Sequence, residues 1–200
     1  MNYPLDRLRA DLSPDERNAL QRWHRLLDDN RGDRARLRRA ERPEDILLTD
    51  AFFHFLQQMP ESWQKKNRIL TSAAVAGLLS HVKEDKQTLS KVYQPKDENK
   101  PKNIASFAEQ LATPVEGKKK PPMSELRFQQ LQKSRTTDDF YRRVLRAIRL
   151  LDGKVNVPSL ANDIIHWHQE FDNQIDRKPA NRLAVRWATD YFTALPKENK

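Results

Sequence analysis

Arg142, Arg146 and Arg149 recur at i, i+4 and i+7, with Arg143 beside them, so a helix carrying them presents a row of guanidinium groups along one side. Arginine offers a planar fork of donors that fits phosphate in bidentate fashion, and a row of such forks on a rigid rod can grip a polyanion. The same stretch supplies its own acids. Asp138 and Asp139 precede Arg142 and Arg143 by four residues, and Asp152 follows Arg149 by three. Each pair could neutralise itself at the surface for ~0.3–0.5 kcal/mol, which would leave a merely solvated face. Arg146 has no such acid, and Arg127, Lys133 and Arg135 lie just upstream. The chemistry favours phosphate.

Two further basic runs invite the same test. Arg34, Arg36, Arg38 and Arg39 crowd one short segment with a single large apolar residue, Leu37, and Lys118-Lys119-Lys120 sits among prolines as a basic loop. Aromatic residues are not interleaved with the bases in a stacking pattern, so the implied contact is backbone neutralisation that is blind to sequence.

For catalysis the chain offers one alternative. Asp163, His166 and Glu170 share a helical face, a spacing that could hold a metal for a nuclease, against a surface hydrogen-bond cluster as the plainer reading. His24, His54 and His81 lie on otherwise apolar helices and read as partly buried or boundary residues. With no cysteine, there is no thiolate metal site, cysteine nucleophile or disulfide. No glycine-rich phosphate loop or HExxH is present, and no cofactor is expected.

The elements that must position the arginines are helices. Phe140, Val144, Ala147, Ile148 and Leu151 form an apolar stripe, Thr136 or Thr137 can cap the amino end, and Gly153 can end the helix. Upstream, Ser13-Pro14-Asp15-Glu16 starts a helix that buries Leu20, Trp23 and Leu27, with Gly32 as the turn that follows. Thr49-Asp50 starts another, with Phe52, Phe53, Leu56 and Met59 inward, and the stretch 63–82 reads as one long core helix. Residues 83–103 are polar and read as a solvated loop, followed by a short helix using Phe107 and Leu111. Four helices complete the chain. Their apolar positions are Leu126, Phe128 and Leu131, then the arginine helix, then Leu160, Ile164, Trp167, His168 and Phe171, and last Leu183, Trp187, Tyr191 and Leu195. The fold class is all-α: two small helical bundles, 1–117 and 118–200, joined by a proline- and lysine-rich link.

Charge agrees with that division. The net charge of +9 is uneven, because residues 118–200 carry 17 Lys+Arg against 10 Asp+Glu and the remainder 20 against 18. The N-terminus, Met1–Arg9, lacks a signal-peptide apolar core, and the longest charge-free run is shorter than the ~20 residues of a membrane span. A reducing cytoplasm fits the cysteine-free composition.

Several stretches together resemble the CasB-type small subunit of the type I-E Cascade CRISPR complex. They are residues 32–40 (Gly-Asp-Arg-Ala-Arg-Leu-Arg-Arg-Ala), 75–82 (Val-Ala-Gly-Leu-Leu-Ser-His-Val), 106–112, 124–131 (Ser-Glu-Leu-Arg-Phe-Gln-Gln-Leu), 163–167 and 186–192. Ala108, where relatives often have glycine, and the long 83–103 insertion depart from the pattern. The resemblance implies a subunit without enzymatic activity that serves antiviral defence and stabilises the R-loop. Two copies would stack head to tail beside the large and backbone subunits. There they would contact guide RNA, target DNA and the displaced strand, and a separate nuclease-helicase would do the cutting. By family position it assigns nucleic-acid contacts to Arg38, Arg127, Lys133, Arg135, Arg142, Arg143 and Arg146, with Arg39, Lys119, Arg149, Arg182 and Arg186 next.

Overall fold

Capping chemistry sets the first helix. In the computed structural model, which describes residues 12–97, 99 and 102–196, Ser13 accepts the Glu16 amide while Glu16 reaches back to the Ser13 amide. Helix α1 therefore runs Pro14–Asp29 and buries Leu20, Trp23 and Leu27, as their spacing predicts. Met1–Arg9, where a signal-peptide core was sought, lies outside the described residues. Gly32, expected as a turn, sits instead in the first turn of α2 (Arg31–Arg39), because the Asn30 side chain accepts the Asp33 amide and caps that helix without glycine. Pro43 then opens the short α3 (Pro43–Ile46).

Thr49 caps α4 (Asp50–Gln58) as expected, but its inward face is shifted. Phe52, Phe55, Leu56 and Met59 make the buried i, i+3, i+4, i+7 stripe, which leaves Phe53 off the stripe and 55% exposed. Phe55 packs edge-on against both Trp23 and Trp63. The single helix expected over 63–82 is broken. Glu61–Gln64 is a 3₁₀ turn, Lys65 is extended, and α5 starts only at Ile69 and ends at Ser80. The physical cause is Glu16, whose carboxylate accepts the Trp63 indole N–H (2.9 Å), the Ser62 hydroxyl (3.1 Å) and Arg68 (3.0 Å) and so pins the turn to α1. Burial, the largest single influence, pushes the Glu16 carboxyl up, but the Ser13 amide first and then Arg68, Ser62 and Trp63 outweigh it and hold the group below its ordinary range.

The described residues of 83–103 are tied down more than their polarity suggests. β1 (Glu84–Asp85) pairs in parallel with β2 (Lys154–Val155). The buried Glu109 carboxylate accepts from the Ser90 hydroxyl and the Lys91 amide, and Ala105 donates to the Thr88 carbonyl. The segment's backbone and short polar side chains, more than apolar burial, hold it in place. Ser106 caps α6 (Phe107–Ala112), and α7 (Glu125–Gln132) buries Phe128 and Leu131 while Leu126 stays 67% exposed. Next come α8 (Thr137–Leu150), α9 (Val157–Phe171, capped by Asn156) and, after a 3₁₀ turn at Pro179–Asn181, α10 (Leu183–Ala194).

The fold is all-α, with ten α-helices and one two-stranded ribbon among the described residues. Helix α5 is apolar on every side, is buried from Thr71 to Ser80, and contacts α1 to α4, α8 and α9. Gly77 permits this closeness, since a Cβ there would overlap Ile46 and the Tyr141 hydroxyl. One buried cluster takes in residues from Leu12 to Tyr191, and α6 packs chiefly on α10.

We propose residues 1–117 and 118–200 as two units meeting at a cleavable link, the exposed Lys118–Lys120. Brief trypsin treatment is expected to cut there first, and the fragments are expected to co-elute on gel filtration because α6 and α10 share a core. Fragments that part and stay helical would mark independent bundles. Absence of preferential cleavage would remove the link.

Candidate nucleic-acid interface

Helix α8 is made as its sequence dictates. The Thr136 hydroxyl accepts the Asp139 amide (3.1 Å), Asp138 and Asp139 fill the first turn, and Asp152 and Gly153 (φ 54° and 74°) carry the chain off the end. Phe140, Val144, Ala147 and Ile148 are buried, joined by Tyr141, and Leu151 is buried just beyond. Rigidly backed by that stripe, Arg142, Arg146 and Arg149 are all exposed. Seven residues of helix span about 10 Å, the axial length of several phosphates at ~3.4 Å per step.

The acids that could quench this row are occupied or turned away. Asp152 pairs with Lys83 at 2.7 Å, and that hydrogen bond and charge hold its carboxyl below the ordinary range. Arg142 reaches the backbone carbonyl of Asp138 (3.4 Å), not its carboxylate. Arg143 donates to the Gln130 carbonyl and so ties α8 to α7. Among the described residues, no carboxylate forms an ion pair with Arg142, Arg143, Arg146 or Arg149, nor with Arg127, Lys133 or Arg135, the last three all exposed.

The other basic run is half cancelled. Arg34 pairs with Asp28 (2.8 Å), and Arg36 with Asp33 (3.3 Å) and Asp50 (3.4 Å). Arg38 donates to the Ser80 carbonyl at 2.7 Å, the C-terminal end of α5, while Arg39 is exposed without a carboxylate partner among the described residues. Next to Ser80, His81 is held down to about 4 by burial first and then by the charges of Arg38 and Arg149, so its ring is neutral at pH 7. The fold thus brings Arg38 of α2 and Arg149 of α8 to one residue, a juxtaposition that nothing in the sequence spacing could signal. Lys119 is exposed in its loop.

Arg182 and Arg186 face the protein. Arg182 donates to the Asp176 carbonyl (3.1 Å), and Arg186, its side chain 14% exposed, lies 2.8 Å from His166 Nδ1 and 4.0 Å from Asp163. Asp163 accepts the Trp187 indole N–H (2.8 Å), His166 Nε2 meets Glu170 (3.2 Å), and Glu170 accepts the Leu183 amide (2.8 Å) at the start of α10. The spacing that suggested a metal fastens α10 to α9 instead. Asp163 serves the Trp187 indole, His166 and Glu170 meet each other, and the Arg186 guanidinium lies beside His166 and Asp163. Among the described residues no three His, Asp or Glu side chains gather as a metal-ligand set.

A family model described as CRISPR-associated protein Cse2 matches residues 33–192. The chain belongs to that family. The match runs from the first turn of α2 into α10, so it takes in Arg34 to Arg39 of α2 and the whole of α8. Membership in the Cse2 family makes the chain a CRISPR Cascade subunit of type I-E, in the company of other Cascade subunits and nucleic acid. No curated protein and no solved structure matches it. No helix among the described residues is long and apolar enough to cross a membrane.

Proposed function

We propose that this chain is a non-catalytic, cytoplasmic subunit that steadies an opened duplex by its sugar–phosphate backbones. The guide RNA–target DNA hybrid and the displaced strand are its ligands, and the large and backbone subunits and a second copy of itself are its neighbours. The observation that carries this reading is the α8 row, where Arg142, Arg146 and Arg149 stand exposed without a carboxylate among the described residues. Arg38, Arg39, Lys119, Arg127, Lys133 and Arg135 extend the basic surface, and Arg143 shares its guanidinium with the Gln130 carbonyl. Arg182 and Arg186 would join only by giving up the partners they now have.

Base pairing reads the sequence, so a supporting subunit needs phosphate contacts alone. Exchanging one duplex for another is nearly balanced in energy, and a modest basic surface can tip it. Binding is therefore expected to weaken steeply with salt. Arg142→Ala is expected to lower affinity about equally for unrelated sequences and to shrink the log–log salt slope by about one contact, ~0.9 on duplex DNA. Titrations of two unrelated duplexes across 50–200 mM salt check both points. A loss confined to one sequence would contradict the reading.

A further inference from the structure

Trp167, Phe171 and Trp187 line a hollow of about 250 Å³ together with Ile175 and Leu183, between the end of α9 and the start of α10. It is one end of a stack of rings. Trp187 lies nearly parallel to Phe140 (6.3 Å between centroids, 16°), Phe140 to Trp167 (4.1 Å, 9°) and Trp167 to Phe171 (5.0 Å, 14°). The stack ends in the open. Phe171 is 46% exposed and its neighbour Ile175 54%, although the spacing of α9 assigns Phe171 to the inward stripe.

The polar rim is partly unspent. Gln132 uses its amide N–H on the Ala184 carbonyl, which leaves its side-chain oxygen available. Lys133 and Arg135 alternate with the rim residues Gln132 and Ser134, are exposed, and have no carboxylate partner among the described residues. A hollow with the half-exposed Phe171 ring in its lining, a carboxylate (Glu170) already committed to the Leu183 amide and His166, and the cations Lys133 and Arg135 next in sequence to its rim suits a ligand that is both planar and anionic.

We propose that this hollow takes the unstacked base of a single-stranded nucleotide against the Phe171 end of the ring stack, with the adjoining phosphates on Lys133 and Arg135. The proposal rests on the phosphate-binding reading above and adds a contact that backbone neutralisation does not supply. It selects unpaired strand over duplex, because a paired base cannot leave its own stack without losing its partner. It stays tolerant of sequence, since every base has a flat face.

The test compares a single-stranded oligonucleotide with an abasic one of equal length and charge, titrated against the full chain. The normal strand is expected to bind at least about 5-fold more tightly, at equal salt slope, as one base–aromatic stack implies. Phe171→Ala, at a half-exposed position, is expected to erase the difference while leaving abasic affinity unchanged. Equal binding of both strands to the unaltered protein would overturn the inference and spare the phosphate reading. So would a preference that survives in Phe171→Ala. If Phe171→Ala keeps the preference but loses co-purification with neighbouring subunits, the hollow is a protein-docking site and the inference fails. If neither strand binds, both readings fall. Should Phe171→Ala melt far below the parent, Phe171→Leu, which keeps apolar bulk without a flat ring, is expected to erase the same difference, and a preference that survives it would overturn the proposal.

Discussion

Reversing the α8 row by Arg142→Glu, Arg146→Glu and Arg149→Glu is expected to weaken nucleic-acid binding by about 100- to 1000-fold at 0.1 M salt, for any sequence. A slope of ~0.9 per contact makes each phosphate contact worth roughly 8-fold at that salt relative to 1 M, so three contacts compound to several hundredfold before repulsion is added. The folded state should notice little. All three side chains are exposed and none is in an ion pair among the described residues, so no buried charge loses its partner. The acids near the end of α8 oppose its dipole by about 0.3–1 kcal/mol, which at 2–4 °C per kcal/mol for a chain of this size is a small drop in melting temperature. Circular dichroism melts and fluorescence titrations therefore separate the two effects. A loss below tenfold with the melt intact would move the interface away from α8.

That separation was legible because α8 obeys local rules. Its cap, its stripe and its arginine row are all written within eighteen consecutive residues, and the fold preserved each of them. What spacing could not reveal was the fate of the acids. Asp152 is within reach of Arg149 along the helix, yet Lys83, brought over by the β1–β2 ribbon, takes it. The broken helix at Trp63 has the same origin, since a carboxylate on α1 recruits the Trp63 indole and Arg68 across 47 and 52 residues of chain. Phe53 and Phe171 are exposed where the spacing has them inward, for another reason. Hydrophobicity alone does not fix which apolar residues of a helix are covered when neighbours such as Phe55 or Trp167 fill the core. The α2 arginines look like α8's in the sequence, but Asp28, Asp33 and Asp50 absorb two of them.

Asp163→Ala is expected to be the most destabilising single substitution at the former metal candidate, costing about 3–5 kcal/mol and roughly 6–20 °C in melting temperature. Asp163 is 3% exposed, and its loss strands the Trp187 indole N–H and deprives Arg186 of its neighbouring carboxylate at the α9–α10 junction. Asp163→Asn keeps an acceptor for the indole and should cost less, because only the charge beside Arg186 is removed. A metal nuclease makes the opposite forecast. There the alanine variant would melt near the parent and lose Mg²⁺-dependent cleavage, since a carboxylate committed to a cation contributes little to packing without it. The two accounts differ in sign as well as size, because removing a ligand from an acidic metal set relieves repulsion, whereas removing Asp163 leaves a guanidinium unanswered. Thermal melts of both variants beside a cleavage assay on labelled single and double strands decide between them.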